Sequence, residues 1–145
     1  MKAPDYASAV TGYSGTPLPR KLGIKEGHRV AFPGAPPGFH NHLGPLPTDV
    51  RVKVRTIAPL DVIVAFFDRS AELERRFPRL AEAIYPDGGL WIAWPKRSSG
   101  VATDLTEDSI RDLALARGLV DNKVCAIDET WSGLRIVHRV RDRGR

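Results

Sequence analysis

A strand, helix, strand pattern between Leu60 and Trp94 constrains the fold more than any other feature of the chain. Leu60 to Phe67 is apolar apart from Asp61, which is typical of a strand that is covered on both faces. A second apolar run, Gly89 to Trp94, predicts another such strand. Between them, one apolar stripe at helical spacing is formed by Leu73, Phe77, Leu80 and Ile84. The pattern predicts two strands joined by an amphipathic helix.

The chain upstream predicts a short helix and two more strands. Thr16-Pro17 is typical of a helix cap followed by proline at the first helical position, and Gly23 would end that helix. His28 to Phe32 predicts a strand. Asp49 to Arg55 alternates valines with basic residues, which predicts a half-buried strand. Only Thr56 to Pro59 separates it from the next strand, so the two are either antiparallel or not neighbours, because a parallel crossover needs about a dozen residues.

The chain downstream predicts a helix and a closing hairpin. Pro78 predicts that the central helix is bent or divided in two. Asp104 and Glu107 are spaced like a capping box at the start of another helix. Asn122 to Ile127 and Leu134 to Val140 are strands with so short a connection that they must be antiparallel. This alternation predicts an α/β fold: a three-layer Rossmann-like sandwich with a mostly parallel sheet that ends in an antiparallel hairpin.

The length of 145 residues suits one compact domain. We expect an extended amino-terminal arm over residues 1–16, a single α/β domain over 17–140 and a frayed basic tail over 141–145. Lysine and arginine exceed aspartate and glutamate by 22 to 17, a modest excess that is compatible with anionic partners. The lone Cys125 lies in an apolar run and fits a reducing compartment. With no apolar run of about 18 residues, we expect a cytoplasmic protein without membrane spans.

Several motifs resemble a bacterial family of unknown function, number 3052 in the domain-of-unknown-function series. The likeness extends from Gly12 to Arg139 and implies no particular activity. The motifs that carry it are Gly12 to Leu18, Lys21 to Ile24, Pro86 to Trp91, Trp94 to Lys96, Ser99 to Glu107 and Asp128 to Leu134.

A weaker resemblance is to the Rossmann-like core of methyltransferases that use S-adenosylmethionine. Ile84 to Ile92 looks like the helix, turn and strand late in that fold, and Asn122 to Val140 is similar to its antiparallel end. The glycine-rich cofactor loop expected after the first strand is replaced by Phe32 to Phe39, in which three prolines remove backbone donors. No acidic residue ends the Val50 to Arg55 strand to bind ribose hydroxyls. The resemblance implies the fold, and we expect no such cofactor.

The best candidate site follows the strand that ends at Pro95. Ligands of open α/β sheets bind outside the carboxyl ends of the strands, and this exit reads Lys-Arg-Ser-Ser-Gly. Cations, hydroxyls and backbone amides there would hold a phosphate or carboxylate, although an exposed basic loop has the same composition. The predicted site residues are Lys96, Ser98, Ser99 and Asp104, with Tyr13 and Trp131 as walls.

Other chemistries find little support. Ser14 lacks the spacing of a nucleophile elbow, because position 16 is threonine. His40 and His42 have no nearby cysteine or carboxylate in sequence to complete a metal site, so no metal is expected. Cys125 fits a core thiol better than a nucleophile.

Three functions stay open, and the sequence names no reaction. The first is a small Rossmann-like domain that binds a small anionic ligand, a protein partner or a second copy of itself at the carboxyl edge of its sheet. The second is an enzyme related to methyltransferases. The third is a nucleic-acid-binding accessory protein that uses the basic row Arg51, Lys53 and Arg55 together with Arg135, Arg139 and Arg141. Such a row also protects a strand edge from aggregation, so we do not expect nucleic acid as the partner.

Overall fold

The computed structural model describes residues 15–144 as six strands, four α-helices and two short 3-10 helices. The strands are β1 (Arg29–Ala31), β2 (Arg51–Val52), β3 (Val62–Phe66), β4 (Gly89–Pro95), β5 (Leu119–Ala126) and β6 (Trp131–His138). The helices are α1 (Leu18–Lys21), α2 (Phe39–Leu43), α3 (Ser70–Ala83) and α4 (Glu107–Ala116). The 3-10 helices are Arg97–Ser99 and Val140–Asp142.

All six strands form one sheet in the order β2-β1-β3-β4-β6-β5. The first four are parallel, β6 is antiparallel to β4, and β5 is antiparallel to β6. The mostly parallel sheet with a closing hairpin is therefore confirmed. β2 and β3, joined by a short connection, are not neighbours, because β1 lies between them.

Two hydrophobic clusters cover opposite faces of the sheet, which gives the three layers. α3 and α4 pack on one face, and α1 and α2 pack on the other. β3 and β4 are buried along their whole length because both clusters rest on them. Trp91 belongs to the cluster under α1 and α2, where its indole Nε1 donates to the Leu22 carbonyl at 2.9 Å. Trp94 belongs to the opposite cluster.

The predicted half-buried strand from Asp49 to Arg55 is wrong in its extent. Only Arg51–Val52 are strand residues, and both are exposed. Val54 is 98% exposed, so the alternating valines do not form a buried face. The chain enters through a turn in which Asp49 has a φ of 62°, and of the three valines only Val50 is packed against a hydrophobic cluster.

Three expected helix features differ in the structure. α3 is continuous through Pro78, which removes the alternative of two separate helices. α1 has no side-chain cap, because Pro17 rather than Thr16 occupies the cap position. The capping box of α4 is formed by Thr106 and Ser109, so the predicted pair of Asp104 and Glu107 is wrong.

The predicted arm lies almost entirely outside the described residues, and the predicted tail begins within the second 3-10 helix. None of the helices between residues 15 and 144 is long and apolar enough to cross a membrane.

Candidate functional site

The reversal of strand order between β1 and β3 marks where ligands usually bind in an open α/β sheet. From β1 the chain continues to β2 on one side and then returns to β3 on the other. We call the space between the carboxyl ends of β1 and β3 the switch-point crevice. A nucleotide cofactor of such a sheet is expected at this position.

Aromatic side chains of the protein itself fill the switch-point crevice. The ring of Phe39 lies 5.3 Å from that of Phe32 and 5.0 Å from that of Phe66, measured between centroids. Trp131 lies edge-on to Phe66 at 5.1 Å. The three phenylalanines are buried, and Phe39 is only 2% exposed. The rings therefore contact one another in the space where a ligand would otherwise stack.

The backbones that leave β1 and β3 are also joined. The Phe66 amide donates to the Pro33 carbonyl at 3.0 Å. Gly34 follows with a φ of +76°, and a Cβ at this position would stand 2.8 Å from the Phe66 carbonyl oxygen. Glycine is therefore required here by both conformation and space. It serves a close approach between two chain segments, whereas a cofactor loop uses glycine to approach its ligand.

An open cleft lies beside the end of β4, and we call it the strand-end cleft. Its volume is about 560 Å³. The first 3-10 helix, the loop that follows it and the first turn of α4 form its walls. It is lined by Trp94, Pro95, Lys96, Arg97, Gly100, Val101, Ala102, Thr103, Leu105, Thr106, Glu107 and Ser132.

Hydrogen bonds hold the loop of the strand-end cleft against the exit of β3. The Thr103 hydroxyl donates to the Asp68 carbonyl at 2.7 Å and accepts from the Leu105 amide at 3.1 Å. The Asp104 carboxylate accepts from the Ser70 amide at 2.7 Å and from its hydroxyl at 3.0 Å. Asp104 thus caps the amino terminus of α3, although it lies in the loop of the strand-end cleft. These bonds, the backbone one above all, lower the pKa of the Asp104 carboxyl.

The turn that begins the loop is stabilised by Ser99. Its hydroxyl donates to the Lys96 carbonyl at 2.7 Å and accepts from the Val101 amide at 3.1 Å. Gly100 then adopts a φ of 77° and lets the chain reverse. Since its hydroxyl is engaged in this way, Ser99 shapes the cleft and does not line it.

The charges in the strand-end cleft favour an anion. Lys96 is half-buried and Arg97 is exposed, and neither forms an ion pair with any residue that the structure describes. The acidic Glu107 is held by Arg111 at 2.6 Å, and the same guanidinium binds Asp108 and Asp121. Hydrogen bonds to Glu107 and then Asp121 raise the pKa of Arg111. The negative charge of the cleft is therefore partly neutralised, whereas its two positive charges are not.

Of the predicted site residues that the structure describes, only Lys96 lines the strand-end cleft. Ser98 and Ser99 lie beside it in the 3-10 helix, and Asp104 turns away to Ser70. Trp131 is the first residue of β6, where it lies opposite Pro95 and packs in the switch-point crevice. Tyr13 lies outside the described residues. The polar lining residues that the sequence did not indicate are Thr103, Thr106, Glu107 and Ser132.

The other reactive side chains have structural contacts. The ring of His42 lies 2.8 Å from the Ile127 carbonyl through Nε2 and joins α2 to the hairpin. Burial raises the pKa of the Cys125 thiol, which makes a thiolate less accessible there. Over residues 15–144, no three histidine, cysteine or acidic side chains are grouped closely enough to hold a metal ion.

Comparison with known proteins identifies the fold. No family model and no curated protein matches the chain, so the resemblance to the family of unknown function stays a prediction. A candidate type 11 methyltransferase from Sulfolobus solfataricus has a TM-score of 0.60 at 13% identity, over 88% of this chain and 93% of that one. An S-adenosylmethionine-dependent methyltransferase from Aquifex aeolicus has a TM-score of 0.53 at 16% identity, over 81% and 85%. A ribosomal protein L11 methylase from Lactobacillus delbrueckii subsp. bulgaricus has a TM-score of 0.53 at 14% identity, over 84% and 75%.

The chain thus has a methyltransferase-like Rossmann fold, and the weaker of its two resemblances is supported as to fold. The described residues do not fit S-adenosylmethionine at the switch-point crevice. Phe39 and Phe66 occupy the space, and Gly34 is pressed against the Phe66 carbonyl. No carboxylate follows β2, where Lys53, Val54 and Arg55 stand.

Proposed function

We propose that this methyltransferase-like domain binds a small anionic ligand in the strand-end cleft. The observation that carries the proposal is the pair of cations, Lys96 and Arg97, which line the cleft without an ion-pair partner among residues 15–144. An unpaired cation at a cleft attracts anions, and two adjacent ones match the charge of a phosphate or a dicarboxylate.

The neutral groups of the cleft support the same ligand class. Ser132 and Thr106 supply hydroxyls among the lining residues. The Thr106 hydroxyl oxygen accepts from the Ser109 amide at 3.0 Å, so its proton is free to donate. The first turn of α4 also lies at the strand-end cleft, and its first backbone amides have no acceptor within the helix. Each of these groups donates a hydrogen bond, as the oxygens of an anion require.

Thermal shift measurements with inorganic phosphate, pyrophosphate and succinate test the proposal. We expect at least one of these anions to raise Tm, and Lys96→Ala to abolish that rise while the protein stays folded. Lys123→Ala is the matched control, because Lys123 is an exposed cation on β5 outside the cleft. If Lys96→Ala responds to the anions as the unsubstituted protein does, Lys96 is not part of a site. If no anion changes Tm, the proposal is wrong.

An enzyme related to methyltransferases is the second candidate. The similarity of fold to several methyltransferases supports this candidate more directly than it supports anion binding. Against it stand the filled switch-point crevice and the missing carboxylate after β2. Such an enzyme would have to bind its cofactor elsewhere or displace Phe39.

Isothermal titration calorimetry with S-adenosylmethionine and S-adenosylhomocysteine separates the two candidates. If Phe39 and Phe66 keep the switch-point crevice closed and neither compound enters the strand-end cleft, no heat is released at millimolar concentration. Saturable heat that is lost on substitution of Lys96 would put these compounds in the strand-end cleft. Saturable heat that is unaffected by Lys96→Ala would favour the enzyme over the anion-binding domain.

A further inference from the structure

A second cleft lies at the edge of the sheet that ends in β2. Its volume is about 640 Å³. Every lining residue comes from β1, β2 or the connection between β2 and β3, and none is helical. We call it the edge cleft. Its lining residues are Arg29, Arg51, Lys53, Val54, Arg55, Ile57, Ala58, Pro59 and Leu60.

The edge cleft is strongly basic. Four of its lining residues are cations and none is acidic. Arg29 is partly neutralised by Asp61, whose Oδ2 lies 3.5 Å from the Arg29 Nε and accepts from the Arg29 amide at 2.8 Å. Arg51, Lys53 and Arg55 are exposed and form no ion pair with any described residue. This concentration of unpaired charge exceeds that of the strand-end cleft.

The outer side of the two-residue strand β2 offers the backbone groups of Val52. Inward, the Arg51 amide donates to the His28 carbonyl at 2.9 Å and the Lys53 amide to the Val30 carbonyl at 2.7 Å. Since successive residues of a strand point their amides to opposite sides, the N–H and C=O groups of Val52 face away from β1. Within the described part of the chain, β2 has no other neighbour. An additional strand can therefore pair with it.

Exposed apolar side chains flank the same edge. Val54 is 98% exposed, Ile57 is 56% exposed and Val52 is 49% exposed. An extended peptide with apolar residues between its carboxylates would cover these groups while it pairs with the cations. Aromatic rings, on which the bases of single-stranded nucleic acids stack, are absent from the lining residues. The composition of this edge therefore favours a peptide over a nucleic acid.

The opposite edge of the sheet also exposes an apolar side chain, Val124 at 53%, but it lacks the excess of unpaired cations. β5 carries charges of both signs, Asp121 and Lys123, and an irregularity interrupts its pairing between them. Mixed charge and irregular pairing protect this edge from an added strand, whereas the basic row at β2 repels a basic strand and attracts an acidic one. A second copy of this chain is also a poor occupant of the β2 edge, because its own basic row would meet that of the first copy.

We propose that β2 and the edge cleft bind an extended acidic segment of a partner protein, which adds to the sheet as a seventh strand. Backbone hydrogen bonds to Val52 would supply the pairing, and Arg51, Lys53 and Arg55 would select carboxylates on the partner strand. This surface is distinct from the strand-end cleft and does not depend on it.

Fluorescence anisotropy with a labelled peptide that alternates valine and glutamate tests the proposal. We expect binding in the micromolar range, and none for the peptide in which lysine replaces glutamate. Lys53→Glu combined with Arg55→Glu should weaken binding about tenfold or more, whereas Lys123→Glu on the opposite edge should leave it unchanged. Lack of binding by the acidic peptide, or equal binding by both peptides, would overturn the proposal.

Val52→Pro distinguishes strand addition from charge attraction alone. It removes the outward N–H and leaves the Arg51 and Lys53 bonds to β1, and proline is tolerated on edge strands in that orientation. We expect this variant to remain folded by near-ultraviolet circular dichroism and to lose peptide binding. Undiminished binding would exclude a seventh strand. Mixed-sequence single-stranded RNA and duplex DNA are titrated in parallel, and tighter binding of either would replace the peptide with a nucleic acid.

Discussion

The switch-point crevice and the strand-end cleft both lie at the carboxyl ends of the strands, yet they differ in what occupies them. The first is filled by the buried rings of Phe32, Phe39 and Phe66. The second is open and polar, with two unpaired cations among its lining residues. The fold alone thus does not determine which part of the carboxyl end of the sheet stays open. The side chains that follow each strand decide which part of the edge is available to a ligand.

The largest effect is expected from Phe39→Ala, which empties the switch-point crevice. Removal of a buried phenylalanine costs about 3–5 kcal/mol of unfolding free energy. Phe39→Leu is the control, since it retains most of the apolar volume and should lose clearly less stability. Urea denaturation gives both values. A loss below about 1 kcal/mol for Phe39→Ala would mean that the crevice is not packed as described.

The next effect concerns the close approach of the two loops. Gly34→Ala incurs the cost of a positive φ, about 1–3 kcal/mol, and also places a Cβ against the Phe66 carbonyl. Gly38→Ala is a matched control, because its φ is +85° and no atom lies within 4 Å of the added Cβ. Thermal unfolding should therefore give a lower Tm for Gly34→Ala than for Gly38→Ala. Equal values would argue that the loops are separated in solution.

A smaller effect on stability is expected at the loop that bounds the strand-end cleft. Asp104→Ala removes the acceptor of the Ser70 amide and hydroxyl, so Tm should fall at neutral pH. The pKa of this carboxyl is lowered in the folded protein, so its contribution is present above the ordinary pKa of 3.8. That contribution is lost as the pH falls through the lowered value. The Tm difference between Asp104→Ala and the unsubstituted protein should shrink on acidification, and a constant difference would contradict this account.

The smallest effect is expected from Arg111→Gln, which leaves the Glu107 carboxylate of the strand-end cleft without its cation. Under the anion-binding proposal, the Kd for inorganic phosphate should rise about twofold to fivefold. High salt should reduce the difference, because it screens exposed charges. Titrations at low and high ionic strength measure both. A lower Kd in Arg111→Gln would imply that Glu107 does not face the ligand.

Much of the fold follows from local sequence. β3 and β4 are continuous apolar runs, and α3 shows its stripe at Leu73, Phe77 and Leu80, so periodicity alone indicates these elements. The hairpin of β5 and β6 follows from its short connection. The length of β2 is overestimated from the sequence, because alternating valines form a buried face only where another element covers them. Nothing in the described structure covers Val54.

Less of the candidate site can be predicted from the sequence, because its contacts join distant parts of the chain. Asp104 precedes Glu107 with the spacing of a capping box, but its partner is Ser70, 34 residues away. Trp131 was expected to wall a ligand site, whereas the pairing of β6 with β4 carries it to Phe66. Thr106 and Ser109 cap α4 reciprocally, a pair that the usual Ser/Thr and Glu/Gln pattern does not include.

The burial of β4 on both faces has a consequence for how the molecule melts. Trp91 belongs to one hydrophobic cluster and Trp94 to the other, although only two residues separate them in the chain. Neither layer can come apart without exposing the strand that supports its neighbour. The two layers therefore form one cooperative unit, and indole fluorescence from either face reports a single shared transition.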